Sequence, residues 1–188
     1  VTIESDAAYV QGIFGIGGEA RGDLEIVSVS RDFELSIEDI KESHAGKIIV
    51  GGSFIGIDAY KKALELKVRG IVVGGFNYYD LEEVLGYRLG VAITGTEDLD
   101  TSLVVTEGYG NIKMSERTFN LLESHDGKFV SINGATQIRA GVIRPEIVIP
   151  LKKGEISDVN NSKNQNLGME IDSLVRVIRE PFFGKIGK

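Results

Sequence analysis

The hydrophobic positions of this chain fall into two rhythms. Over roughly the first 30 residues, short runs rich in β-branched and aromatic residues ("VTIE", "AYVQGIFG", "DLEIVSV") are separated by glycines and predict strands. "LSIEDIKES" then predicts a short helix, with Ser36 as N-cap and Asp39 as its capping partner three residues on. From residue 46 the runs change character. "GKIIVGG", "GIVVGG", "LGVAITG" and "SLVVTEGYG" are continuously apolar and end in glycine, as strands buried on both faces do. Between them, "IDAYKKALELKVRG" puts Ala59, Ala63 and Leu66 on one helical stripe, with Asp58 capping its start and Gly70 following its end. "DLEEVLG" predicts a second helix ending at Gly86. Ser115 caps a third, "ERTFNLLESHD", which Gly127 closes before a fifth strand, "KFVSING".

Strands alternating with helices indicate an α/β fold with a three-layer, largely parallel but mixed sheet. The α/β domain covers 46–134, and β-rich segments at 1–45 and 135–150 flank it as one β layer or barrel. A polar linker at 151–168 and a truncated β segment at 169–188 follow. One connection breaks the alternation. Strands three and four are joined only by "TEDLDT", and a parallel crossover needs a dozen or more residues. The strands around 91–94 and 102–106 are therefore expected to run antiparallel. That sends "TEGYGN" (106–111) to the sheet edge opposite "GGSFIG" (51–56) and "GGFNYYD" (74–80).

Gly15-x-Gly17-x-x-Ala20 has the spacing of a dinucleotide-binding turn, but Gly22 and the β-like "DLEIVSV" leave no room for the helix that must receive the pyrophosphate. Gly15, Gly17 and Gly18 are expected in a turn between strands. Ligands of open α/β sheets bind beyond the carboxyl ends of the strands. Gly51, Gly52, Ser53, Gly75, Asn77, Thr106, Glu107, Gly108 and Tyr109 are accordingly candidate ligand-binding residues. These loops hold no Lys or Arg but do hold Asp80, Glu97, Asp98, Asp100 and Glu107. Phosphate is disfavoured there, and a divalent cation, an amine, a sugar or a neutral amide suits the rim better. Glu97, Asp98 and Asp100 are the candidate metal ligands. A second candidate surface is the polar strand "INGATQIRAGVIRPEI", with Thr136, Gln137 and Arg139 offering hydroxyl, amide and guanidinium groups.

Composition narrows the chemistry. The 188 residues contain no cysteine, which excludes disulfides, thiolate metal sites and a cysteine nucleophile. The two histidines, His44 and His125, lie beside turn glycines and are expected in solvated loops. No run reaches the roughly 18 apolar residues of a membrane span, and a cytoplasmic location is expected. Net charge is −7, with residues 151–188 carrying +2 of their own, so nucleic acid could meet only the tail. Nothing in the residues names a cofactor.

"VRVIREPFFGKIGK" (175–188) resembles the KOW motif of NusG-like transcription factors and several ribosomal proteins, with Val175, Val177, Pro181, Gly184 and Gly187 on the pattern. The resemblance implies a small SH3-like barrel that binds RNA or protein, with Arg176, Arg179 and Lys185 as its basic contacts. From "QGIFGIGGE" to "NGATQIRAGVIRPEI" the body resembles a family of uncharacterised bacterial and archaeal proteins whose similar segments lie inside longer chains. The expectation is a non-catalytic binding or scaffold piece of a larger protein. Its partners would be the remainder of its own chain, a small molecule or a protein. The alternative is a small-ligand sensor or enzyme using Asp80, Glu97 or Glu107 as acid, base or metal ligand.

Overall fold

A computed structural model describes residues 5–86, 99–137, 142–152, 175–176 and 186–187. The chain divides into two units, Ala7–Pro150 and Val1–Asp6 with Leu151–Lys188. In the first unit a mixed sheet grows from β1 (Ala7–Gln11), β2 (Phe14–Ile16), β3 (Glu19–Ile26), β4 (Glu34–Leu35), β5 (Ile48–Val50), β6 (Phe54–Ile55), β7 (Gly70–Phe76), β8 (Ser102–Tyr109), β9 (Phe129–Asn133) and β10 (Glu146–Pro150). Helices α1 (Ile57–Glu65), α2 (Tyr78–Leu85) and α3 (Glu116–Glu123) complete the α/β fold.

β3 belongs to two halves of this sheet. Residues Glu19–Asp23 pair antiparallel with β9, while Leu24–Ile26 pair parallel with β5. Beyond β5 come β7 and β8, both parallel, and then β2, antiparallel to β8. On the other side β9, β10 and β1 form an antiparallel meander. The two ends meet between Gln11 and Phe14. The Gly12 N–H donates to the Pro145 carbonyl at 2.8 Å, and the Ile13 N–H donates to the Val105 carbonyl at 2.8 Å. One stretch of chain thus leaves β10 and joins β8, closing the sheet on itself and sparing it two open edges.

Burial on both faces explains the continuous apolar runs. Ile49, Ile71, Val73, Leu103 and Val105 pack with Tyr60 and Ala63 of α1 and Leu81 of α2. Their neighbours Ile48, Val50, Val72 and Val104 pack with Ile132, Ile147 and Ile149 of the meander and with Phe119 and Leu122 of α3. Each such aliphatic side chain contributes about 1.5–3 kcal/mol on burial.

Several local expectations hold. Gly17, at φ +76, and Gly18 turn the chain between β2 and β3, and no helix starts at Ala20, but Gly15 lies within β2, opposite Val104, and not in the turn. Asp39 accepts hydrogen bonds from the Ser36 N–H (2.8 Å) and hydroxyl (2.6 Å), around 3-10 turns at Ile37–Asp39 and Glu42–His44. Gly86 ends α2 in the left-handed conformation. Others are corrected. Gly56, not Asp58, is the N-cap of α1; Asp58 sits within the first turn, where its charge still complements the helix dipole. Gly70 opens β7 after Leu66 and Lys67 have ended the helix. "KFVSING" (β9) is antiparallel to both neighbours, because α3 carries the chain into the meander and not back to the parallel half. His44 is buried, not solvated, and the His125 Nδ1–H donates to the Leu121 carbonyl at 2.7 Å.

The strand expected around 91–94 lies outside the described residues. β8 itself runs parallel to β7, with Gly70 opposite Ser102 and Gly75 opposite Gly108. "TEGYGN" therefore leaves the sheet at the same edge as "GGSFIG" and "GGFNYYD", not the opposite one. No helix among the described residues is long and apolar enough to cross a membrane. In the second unit, β11 (Val175–Arg176) and β12 (Ile186–Gly187) pair antiparallel. The rest of segment 169–188 and nearly all of 151–168 lie outside the described residues.

Candidate functional site

The convergence of three glycine-rich loops at one sheet edge is the arrangement in which α/β folds bind ligands. Here the crevice is occupied by the chain itself. A Cβ added to Gly75 would collide with the Gly110 carbonyl, and one added to Gly52 would meet the Ser30 carbonyl and the Phe33 backbone. Segments 30–33 and 110–114 thus lie directly across the strand ends, and the glycines exist to admit them. The Gly110 N–H donates to the Phe76 carbonyl at 2.9 Å, and the Met114 N–H to the Arg31 carbonyl at 3.1 Å, which fixes both segments in place.

The polar candidates at this edge are engaged in the same structure. Gly51 packs against Leu35 and Val73. The Ser53 hydroxyl donates to the Asp32 carbonyl (3.0 Å), and the Thr106 hydroxyl donates to the Val73 carbonyl (3.3 Å). Asn77 caps α2, its side chain accepting the Tyr79 N–H at 3.0 Å. Glu107 is buried, and its Oε1 accepts the Ser115 N–H at 2.7 Å, ahead of α3. Gly108 lies within β8. Outside the edge, Lys113 pairs with Asp32 at 2.9 Å. Hydrogen bonds from Lys113 and Ser30 hold the Asp32 carboxyl down at about 2. The Asn111 side chain donates to Glu34. These contacts latch the covering segments down.

What this edge presents outward is aromatic. Phe14 of β2 lies 5.3 Å, centroid to centroid, from Tyr109 at the end of β8. Tyr109 meets Tyr78 of α2 at 5.4 Å and 89°, and Tyr78 meets Tyr79 at 5.9 Å and 79°. These separations and near-perpendicular angles are favourable edge-to-face geometry. The ladder runs from a buried Phe14 to a Tyr79 that is 74% exposed, with Tyr109 at 37%. Burial, with Tyr78 beside it, pushes the Tyr109 phenol up to about 12. Charge beside the ladder is acidic. Burial raises the Asp80 carboxyl, and repulsion from Glu83 and Asp58 raises it further. Lys61 is tied to Glu83.

Of the ladder, only Tyr109 stood among the sequence candidates. The missed signal was the doublet in "NYYD". Adjacent residues on a helix point about 100° apart, so Tyr78 and Tyr79 cannot share one buried stripe.

The second candidate strand is structural as far as it is described. Thr136 is fully buried, its hydroxyl accepting the Gly15 N–H at 2.9 Å, and Gln137 makes an antiparallel bridge to Ile143. Arg139 lies outside the described residues, as do Glu97 and Asp98. Asp100 lies beside Lys67 and Arg69, and no cluster of three potential metal-binding residues exists among the described residues. Of the tail's basic candidates, Arg176 falls in β11, and Arg179 and Lys185 lie outside the described residues. The chain matches no family model, no curated protein and no solved structure.

Proposed function

We propose that residues 7–150 act as a non-catalytic binding domain within a larger cytoplasmic chain, holding a partner on the Tyr109–Tyr78–Tyr79 surface. The observation that carries this reading is the closed crevice. The sheet edge that would cradle a substrate is filled by backbone, while an aromatic ladder stays open beside it. A partner presenting cationic side chains fits best, because tyrosine faces attract ammonium and guanidinium groups and Asp80, Asp58 and Glu83 add negative charge. An enzyme using Asp80 or Glu107 is less well supported, since Glu107 is committed to the entry of α3.

The reading is tested by titrating arginine-rich and glutamate-rich peptides of equal length into the isotopically labelled chain while following tyrosine ring resonances. Saturable binding of the arginine-rich peptide should weaken in Tyr79→Ala and Tyr109→Ala and persist in Tyr9→Ala. Tyr9 is 51% exposed but lies in β1, outside the ladder. Equal weakening in all three variants, or no binding, counts against the ladder.

A second reading, RNA or ribosome contact through a KOW-like tail, draws support from the antiparallel pairing of Val175 with Gly187. Filter binding of single-stranded RNA that survives substitution of Arg176, Arg179 and Lys185 together would remove it.

A further inference from the structure

The opposite edge of the parallel strands carries a different kind of concavity. Beside the N-terminal ends of β5, β7 and β8, Ala45, Gly46, Lys67, Arg69 and Asp100 line a cavity of about 500 Å³, within the size range of small-molecule sites. Backbone hydrogen bonds fix its rim. The Gly46 N–H donates to the Lys67 carbonyl (3.0 Å), the Arg69 N–H to the Lys47 carbonyl (2.9 Å), and the Ser102 N–H to the Arg69 carbonyl (3.1 Å).

Two features of the lining are not explained by the fold. First, Lys67 and Arg69 form no ion pair among the described residues, whereas Lys47, Lys61 and Lys113 each do. With Asp100 on the same lining, the ionised side chains of the cavity leave one net positive charge in a chain of net charge −7. Second, Lys67 has φ +57, the one positive φ on a non-glycine among the described residues. Glycine or asparagine takes that conformation at a helix end without strain. The lysine found there lines the cavity and carries backbone strain that a glycine would not.

We propose that this cavity binds the oxyanion group, phosphate or carboxylate, of a small metabolite. Arg69 supplies a planar fork suited to two oxygens of one group, and Lys67 a point charge. Asp100 accepts a hydrogen bond from a hydroxyl or ammonium elsewhere on the same ligand. This assignment is independent of the aromatic surface and sets Asp100 beside two cations, while Glu97 and Asp98, the other candidate metal ligands, lie outside the described residues.

Calorimetric titration of the intact chain at low ionic strength, with pyrophosphate and with citrate as probes, tests it. One site per chain should saturate and weaken as salt is added. The tighter probe identifies the phosphate or the carboxylate as the natural group. Lys67→Gly relieves the backbone and should fold at least as stably as the parent, yet bind at least about tenfold more weakly. Arg69→Ala should lose a similar factor, while Asp100→Asn should bind pyrophosphate roughly two- to fivefold more tightly. Failure of both probes to saturate, or binding that both cation variants retain, overturns the assignment.

Discussion

Glu107 holds the entry of α3: its buried Oε1 accepts the backbone N–H of Ser115 at 2.7 Å, and the Ser115 hydroxyl in turn accepts the Thr118 N–H at 3.2 Å. A carboxylate in the last parallel strand is thereby wired to the cap of the helix that leads into the meander. Glu107→Ala is expected to cost about 1–3 kcal/mol, since a buried donor loses its charged acceptor. Ser115→Ala should cost about 1 kcal/mol through the cap alone. Urea denaturation of the two variants and their double mutant checks this. A double-mutant loss equal to the sum would show that the two bonds do not act as one unit.

The covering of the strand ends makes a second prediction. Gly75→Ala places a methyl group where the Gly110 carbonyl lies, so segment 110–114 must lift off the edge. Destabilisation of about 1–3 kcal/mol is expected, with accelerated exchange of the Gly110 amide that donates to Phe76. If the strand end were instead an open ligand cradle, the same substitution would leave thermal stability unchanged.

That contrast marks where the sequence stops being legible. Most caps and turns read correctly because their causes are local: Ser115, Gly86, Ser36 with Asp39, and the Gly17 turn each act within a few residues, whereas at α1 the cap is Gly56 and not Asp58. The glycines of "GGSFIG" and "GGFNYYD" were equally visible, but their meaning depends on what approaches them. The approaching backbone comes from residues 30–33 and 110–114, far away in sequence, and no periodicity reports such a contact. The edge at which "TEGYGN" leaves the sheet differs from the expectation for a related reason. The short "TEDLDT" connection is visible in the sequence, while the parallel pairing of β8 with β7 is not. The ladder spans Phe14, Tyr78 and Tyr109, three positions that only the closed sheet brings together.

His44 predicts a pH dependence. It is buried, its Nδ1 accepts the Lys41 N–H at 3.2 Å, and its Nε2 lies 3.6 Å from Glu25. Burial lowers its pKa; the Glu25 carboxylate works against this, and Lys47 and Lys41 add to the lowering. The folded chain therefore binds this proton less tightly than the unfolded chain, whose histidine titrates near pH 6.5. His44 accordingly subtracts stability as pH falls from about 6.5 through its lowered folded value, and none above that window. His44→Gln should flatten the stability profile as pH falls below about 6.5, measured by denaturant midpoints. A variant as acid-sensitive as the parent would assign the effect to other groups.

Tyr109 predicts a titration that reports on the ladder directly. Its phenol is pushed up to about 12, first by burial and then by Tyr78 alongside, while an unperturbed tyrosine ionises near 10. Ultraviolet titration should therefore show a late phenolate component that disappears in Tyr109→Phe and leaves the earlier phase intact. Tyr78→Ala opens the ladder to water between its two neighbours at 5.4 and 5.9 Å. That substitution should move the late component down towards 10, because it weakens the desolvation that disfavours the phenolate. Occupation of the surface by an apolar, cationic partner would have two opposed effects. Further exclusion of water raises the Tyr109 pKa, while a guanidinium over the ring lowers it by stabilising the anion. The sign of the shift on adding the arginine-rich peptide thus separates packing against the ladder from charge recognition by it. No shift at all would place the partner elsewhere on the molecule.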